Sequence, residues 1–326
     1  MMQRKTLLLT AFSLVATTCV NAGGDWGVNH HWAFLGEAMY LQRTELHSRP
    51  IVNKTSGGRT NEVLKTKRLM KDFDWEPGYR VGISYTPSAR RTFDINYFAI
   101  EEWKGDATIK GAGALSFPFR DLSSFHDFVG ADKVEAVYRS RFSNGEANHW
   151  WHITPRRVNY FSVSAVLGIR GIALRESFKA RFFKRTNKSE YSIKSSNYII
   201  GPQIGGCFEA NPWHFLTWNF TAKLAPLLNR ASQKTFLADD NNERVIRHFK
   251  RFKWAATFLA DVSASVGVQV ASHFNVHVGY QFIYLAGLAL APEEISLATD
   301  EDAGERVNTH GNAIMDGAFA GIIFSF

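Results

Sequence analysis

Cysteine is scarce in this chain, with two in 326 residues, Cys19 and Cys207. A disulfide-stapled scaffold is thereby excluded, because such folds are small and cysteine-dense. Long hydrophobic runs are missing as well. Beyond the first residues, polar side chains interrupt every apolar segment well short of the about 18 positions that a membrane-spanning helix needs. There is no phosphate-cradling glycine loop, no Cys-x-x-Cys pair and no nucleophile elbow, so the usual signatures of nucleotide, redox and α/β-hydrolase chemistry are not written here. No cofactor and no metal are expected. His30-His31 makes no ligand set, and His149-Trp150-Trp151-His152 sits beside a short turn, where it reads as part of an interfacial aromatic belt.

The start of the chain is different. Arg4 and Lys5 precede an apolar run from Leu7 to Val15, and Val20-Asn21-Ala22 offers a small-residue cleavage site. That is the plan of a secretory signal peptide. Its removal leaves 304 of the 326 residues and takes the formal charge from +8 to +6. Cys19 goes with it, so no intramolecular disulfide is expected in the mature chain, and Cys207 reads as a small buried or lumen-facing side chain. A lipoprotein start at Cys19 is disfavoured by Thr18, where that signal prefers Gly, Ala or Ser.

What the chain has in abundance is aromatic residues, 14% of it, and alternation. From Phe258 to Val270 one parity carries Phe258, Ala260, Val262, Ala264, Val266, Val268 and Val270, while the other carries Asp261, Ser263, Ser265, Gly267 and Gln269. A period of two is a β-strand with one apolar face. At about 3.3 Å per residue this run approaches 40 Å, beyond the ordinary strand of a soluble sheet. Ten such segments lie near residues 31–44, 75–86, 92–103, 133–149, 158–176, 197–209, 214–229, 253–270, 274–290 and 312–326. Short joins alternate with long polar connections at 45–74, 104–132, 177–196, 230–252 and 291–311. The pattern predicts an all-β, antiparallel, up-and-down transmembrane barrel of about ten strands, or twelve if Ala107 to Phe119 folds as a hairpin. A large β-sandwich also has period-two strands, but it explains neither the strand length nor the one-sided loops. The expected organisation is a signal peptide at 1–22, a short periplasmic segment at 23–30 and a barrel at 31–326, placed in a bacterial outer membrane. The last strand ends on Phe324-Ser325-Phe326, which resembles the signal that the barrel-assembly machinery reads, so that machinery is an expected partner.

Several motifs are similar to the β-barrel porin-7 family. Gly78-Tyr79-Arg80-Val81-Gly82-Ile83 followed by Phe93-Asp94-Ile95-Asn96-Tyr97-Phe98 resembles an early hairpin of that family, and Leu167-Gly168-Ile169-Arg170 its middle strand. Asn197 to Gly205, Gly279-Tyr280-Gln281 and Gly287 to Pro292 add to the likeness. Ile169-Arg170-Gly171 departs from the family, which often has an aromatic after the arginine, and so does the Cys207 strand. Gly36-Glu37-Ala38-Met39-Tyr40-Leu41 is compatible with the neighbouring Legionella-type major outer membrane protein family. Membership would imply an outer-membrane barrel and little about its solute.

With the apolar parity facing lipid, the lumen is expected to receive Glu37, Arg43, Arg80, Asp94, Glu135, Arg139, Arg141, Arg170, Gln203, Asn219, Lys223, Asp261, Gln269, His277 and Gln281. A charge at mid-depth on the lipid face would cost roughly 2–4 kcal/mol for Arg or Lys. Ten strands lie near the narrow end of barrels, where side chains can fill the interior. Two readings follow: a salt-bridge plug, or a narrow, weakly anion-preferring pore lined by Arg80, Arg139, Arg141 and Arg170. The outward loops carry three basic clusters, around Lys65–Lys71, Lys179–Lys188 and Arg244–Lys253, interleaved with Phe182, Phe183, Phe249 and Phe252. These suit outer-membrane lipid and lipopolysaccharide phosphates better than nucleic acid. The last long loop is acidic and is expected to fold across that basic rim. No catalytic residue is expected; the nearest arrangement to a hydrolase would unite Asp239 and Asp240 with Asp302 and His310. The leading functional expectation is a porin-like protein, ahead of a non-conducting surface protein or adhesin and, last, a surface hydrolase.

Overall fold

The computed structural model describes residues 32–45, 48–71, 73, 75–119, 128–154, 160–213, 215–239, 241, 243–298 and 304–326. The expected signal peptide, at 1–22, and the expected periplasmic segment, at 23–30, therefore lie outside the described residues. Twelve strands and one short helix follow in chain order. They are β1 (Trp32–Glu45), β2 (Pro50–Ser56), β3 (Arg59–Lys65), α1 (Thr66–Met70), β4 (Glu76–Ser88), β5 (Arg91–Ser116), β6 (Val129–His152), β7 (Phe161–Lys184), β8 (Asn187–Trp213), β9 (Leu216–Asp239), β10 (Arg244–Ala271), β11 (Phe274–Leu288) and β12 (Gly311–Ser325).

Ten of these strands close a ring, all antiparallel: β1 pairs with β12 and β4, the order runs on from β12 through to β6, and β5 pairs with β6 to shut it. Closure leaves no unpaired strand edge over the height that all ten strands share. At its termini the first and last strands are stitched by Trp32 N–H to Phe326 O (3.2 Å) and Phe326 N–H to Trp32 O (3.0 Å). The twelve-strand sheet arises from the β2–β3 hairpin, attached to β5 at Asn53 and Lys54, and not from residues 107–119. Residues up to Ser116 prolong β5 instead.

The ring is lopsided. Strands β5 to β10 have 24 to 28 residues each, whereas β4, β1, β12 and β11 have 13 to 15. At about 3.3 Å per residue and a tilt near 45°, the long strands rise roughly 55–65 Å and the short ones only about 30–35 Å. The short wall matches a hydrocarbon core of about 30 Å and the tall wall is nearly twice that. This corrects three of the expected long loops: 104–132, 177–196 and 230–252 are mostly strand, closed by turns at Lys184–Asn187 and Asp239–Arg244. Their polar outward parity hid them, because it belongs to strands standing in water.

The inversion can be followed on β7. In its lower part Phe161, Val163, Leu167 and Ile169 face out while Ser162, Ser164 and Arg170 are buried; in its upper part Phe178, Ala180 and Phe182 are buried while Arg175 is exposed and Lys179 and Arg181 are half-exposed. On β9 the same exchange runs from Trp218, Phe220, Leu224 and Leu228 outside to Arg230 and Lys234 outside. Lower down the surroundings are lipid, so apolar side chains point outward; higher up the surroundings are water, and they turn inward. Phe182, which interleaves with a basic cluster in the sequence, is consequently a core residue, and its ring packs edge-on to Phe117 at 6.0 Å.

Above the short wall the upper half of the ring has no strands of its own. The β2–β3 hairpin, α1 and residues 289–298 and 304–310 fill that side. Their Ile51, Val52, Leu64, Leu69, Leu290, Ala291 and Ile295 share one apolar cluster with Trp103, Phe117, Phe128, Tyr138, Phe178 and Phe182 of the tall side. Cys207 is buried against Trp150 and Val166.

Candidate functional site

The lumen at membrane level is where the polar inward parity converges, and its side chains form one connected network. Glu37 (β1) accepts from Arg80 Nη1 (β4) at 2.6 Å and meets His277 Nε2 (β11) at 3.2 Å. The other Arg80 arm reaches the Gln281 carbonyl oxygen, and Gln281 Nε2 donates to Asp261 (β10) at 2.8 Å. Arg170 (β7) then bridges Asp261 and Glu146 (β6), 2.8 Å from each. Glu146 also takes Lys223 Nζ (β9) at 3.0 Å and Gln203 Nε2 (β8) at 2.8 Å. Gln203 donates in turn to Asn148, which donates to Asp94 (β5) at 2.8 Å, and Trp150 Nε1 completes the shell of Asp94. Gly168 makes room for this: a Cβ there would collide with the Asn148 side chain and the Ala147 carbonyl.

Nine of the ten ring strands thus contribute to a band that crosses the lumen. Its four carboxylates face two arginines, a lysine and His277. Removing any one partner would leave a buried charge uncompensated, so the band acts as a unit. Of the expected lumen residues, Glu37, Arg80, Asp94, Arg170, Gln203, Lys223, Asp261, His277 and Gln281 belong to it. Asn219 is buried two inward steps from Lys223, with Thr221 between them, and Gln269 is half-buried near the turn end, its N–H bonded to Phe215 O at 2.9 Å. Arg43 also faces inward, but higher, where it pairs with Glu176 at 2.5 Å.

Arg139, Arg141 and Glu135 are corrections. They lie on the outward parity of β6 above the lipid belt, beside the inward Val134, Ala136, Tyr138 and Phe142. Arg141 pairs with Glu102 at 2.9 Å and Arg139 approaches the same carboxylate at 3.8 Å, and Glu135 pairs with Lys133 at 2.6 Å. Apolar side chains mark the inside there, the reverse of the rule that assigned them. Glu146, the hub of the network, was missed because alternation looked irregular between Ser143 and Asn148; pairing with both neighbours in fact runs through unbroken. The His149-Trp150-Trp151-His152 run divides: Trp151 is exposed, whereas Trp150 and His152 are buried, the latter bonded to Thr92 and Ser164.

Above this band a second closure crosses the lumen. Gly287, at φ +85°, turns the chain inward; a Cβ there would collide with the Ala256 carbonyl. Asn197 then holds Ala289 by both backbone groups at 2.8 Å, Glu176 accepts the Ala291 N–H at 2.7 Å, and Arg247 donates to Ala298 O at 2.5 Å. The acidic loop does meet basic residues, through Arg49–Glu293 at 3.4 Å and Arg251–Glu305 at 2.6 Å. Glu294 within it is buried and accepts the Asn308 N–H at 2.9 Å. Burial pushes its carboxyl up to about 8; the Asn308 N–H opposes the rise and the Glu293 charge adds to it.

Of the four residues of the hydrolase arrangement, Asp240 and Asp302 lie outside the described residues. Asp239 is buried and accepts a hydrogen bond from Ser189 at 2.5 Å, and His310 is exposed, its N–H on Asn308. Among the described residues no cluster of His, Cys, Asp and Glu has the makings of a metal site.

Among solved structures, the chain is similar to the outer membrane protease OmpT of Escherichia coli, at 12% identity over 91% of this chain and 97% of that one, with a TM-score of 0.52. It also aligns with the translocator domain of the autotransporter NalP of Neisseria meningitidis (9% identity, 91% and 88% covered, TM-score 0.36) and with a Pseudomonas aeruginosa FadL homologue (7%, 94% and 92%, TM-score 0.27). No family model and no curated protein matches the sequence. The class is clear: this is a bacterial outer-membrane β-barrel, with its lipid belt at the lower half of the ring. The porin-7 resemblance holds at that coarser level and rests, for the family itself, on the short motifs alone.

Proposed function

We propose that this chain is a non-conducting barrel of the outer membrane, a surface or envelope-structural protein whose working face is the outside of its tall wall. The observation that carries the reading is the unbroken run of hydrogen bonds from Glu37 to Asp94 across the lumen. A hydrated ion would have to part buried charge pairs to pass it, and then enter an apolar core. Planar-bilayer recording of the purified, folded protein tests this: no unitary conductance is expected. Reproducible current steps whose ion selectivity changes in Arg170→Ala would overturn it.

The porin-like reading, a narrow path for small polar or anionic solutes, keeps one favourable observation, the cations Arg80 and Arg170 midway along the lumen. It requires the band to open, and the same recording decides between the two. Fold likeness to a protease does not supply a hydrolytic site. We infer no catalytic role, and measurable peptide cleavage lost in an Asp239→Ala, His310→Ala double variant would reverse that inference.

A further inference from the structure

Immediately above the lipid belt, the outside of the tall wall carries a row of like charges. Lys194 on β8 is the direct cross-strand neighbour of Lys234 on β9, and Lys234 is the neighbour of Lys250 on β10. All three are exposed. One outward row lower stands Arg175, its guanidinium 5.4 Å from the Tyr198 ring, and two rows lower, between Tyr198 and Trp254, stands Arg230, 5.6 Å from the Phe252 ring. Among the described residues none of these five cations has a carboxylate within ion-pair distance, although most other lysines and arginines of the tall wall's outer face have one: Lys104, Lys133, Lys179 and Arg181 are paired at 2.6 to 3.3 Å. Like charges placed directly opposite one another in a sheet are destabilising. On the short wall at the same level the outward residues are Gln42 and Asp316, with Glu101 on β5 beyond them. The charge is therefore concentrated on one side.

We propose that Arg175, Lys194, Arg230, Lys234 and Lys250 form a binding site for the phosphorylated headgroup of an outer-leaflet glycolipid. Level and chemistry fit that occupant together. Tyr198, Phe252 and Trp254 lie at the top of the apolar belt, where acyl chains end, and the cations begin where the phosphates of such a lipid would sit. Ammonium and guanidinium groups suit phosphate oxygens, and the mutual repulsion of the lysines is relieved when the anion binds.

The test uses the folded full-length protein in neutral detergent, titrated with lipopolysaccharide and followed by native mass spectrometry. The triple variant Lys194→Gln, Lys234→Gln, Lys250→Gln should bind roughly a hundredfold more weakly, at about fivefold per basic contact. A control removes the same charge from paired lysines, as Lys104→Gln, Lys133→Gln, Lys179→Gln, and should keep the original affinity. An equal loss in the control, or no loss in the triple variant, overturns the site. So does undiminished binding of lipopolysaccharide stripped of its phosphates, or of free inorganic phosphate in place of the lipid. A second readout needs no ligand: in lipid-free detergent at low salt the triple variant should unfold at a higher temperature than the parent, and the difference should vanish in high salt. A lower unfolding temperature would mean the lysines serve the fold and not a ligand.

Discussion

The lower and upper halves of the tall wall are built from the same six strands under opposite rules. Between Phe161 and Arg170, β7 shows its greasy side chains to the surroundings and hides an arginine; between Arg175 and Lys184 it shows cations and hides phenylalanines. Nothing in the backbone changes, since pairing with β6 and β8 continues in register through the crossover. What changes is the solvent. The difference teaches that alternation specifies a strand, whereas the polarity of its outward face specifies what surrounds it, and a single strand can carry both answers.

The widest separation between the halves should appear at their buried arginine and their surface arginine. Arg170→Ala strands Glu146 and Asp261 in the band, and breaking a buried pair of this kind costs about 3–5 kcal/mol. Urea unfolding of the folded barrel, followed by its gel mobility with and without heating, should show the midpoint falling sharply. An unchanged midpoint would mean that the lumen is wet enough to solvate both carboxylates. Next in size is a lysine placed outside. Ile169→Lys, exposed at mid-belt on β7, should cost roughly 2–4 kcal/mol. Val137→Lys, facing out in the upper half opposite Asp106, should stay within about 0.5 kcal/mol. Equal costs would refute the placement of the membrane on the lower half alone.

Much of this was legible in the sequence, for a physical reason. Alternation with an apolar face long enough to cross a bilayer arises almost only where a strand meets lipid, so the ten ring strands, the tight turns and nine members of the polar band could be read directly. The rest failed at the crossover. Once Arg175, Lys194 and Arg230 leave the lipid, the outward parity becomes polar, and the inward parity supplies the hydrophobic residues; read with the lower rule, these stretches look like polar loops. Arg139 and Arg141 were misplaced by that same inversion. Glu146 escaped because Ser143, Gly145 and Ala147 are too small to mark the lipid face, leaving its parity without contrast. The second closure is tertiary: Asn197, Glu176 and Arg247 recognise backbone groups of residues 289–298, and no local pattern announces such partners.

That closure should also respond to pH, in the upper half only. In an unfolded chain Glu294 titrates near its ordinary 4.5, and in the fold near 8. A raised carboxyl pKa means that the fold favours the protonated form. Its contribution is complete below about 4.5 and is lost as pH rises through about 8. Hydrogen exchange of residues 289–298 should therefore quicken, beyond the intrinsic pH effect on exchange, between pH 5 and 9, while the lower strands hold steady. Glu294→Gln, neutral throughout, should flatten the response. If the segment loosens equally in that variant, the titrating group lies elsewhere.

The smallest expected effect completes the contrast with Arg170. Arg141 and Glu102 meet at 2.9 Å, about as close as Arg170 and Glu146, yet the Arg141 side chain is 65% exposed and that of Arg170 only 1%. In water the attraction is screened, and holding two long side chains together costs conformational entropy, so such a pair contributes about 0–1 kcal/mol. Arg141→Ala should therefore barely move the unfolding midpoint, and the little it does move should disappear in high salt. Distance is nearly equal in the two pairs and surroundings are not. A cost for Arg141→Ala comparable to that for Arg170→Ala would show that the outer face of β6 is covered, by lipid or by a partner, and would draw the boundary between the halves above it.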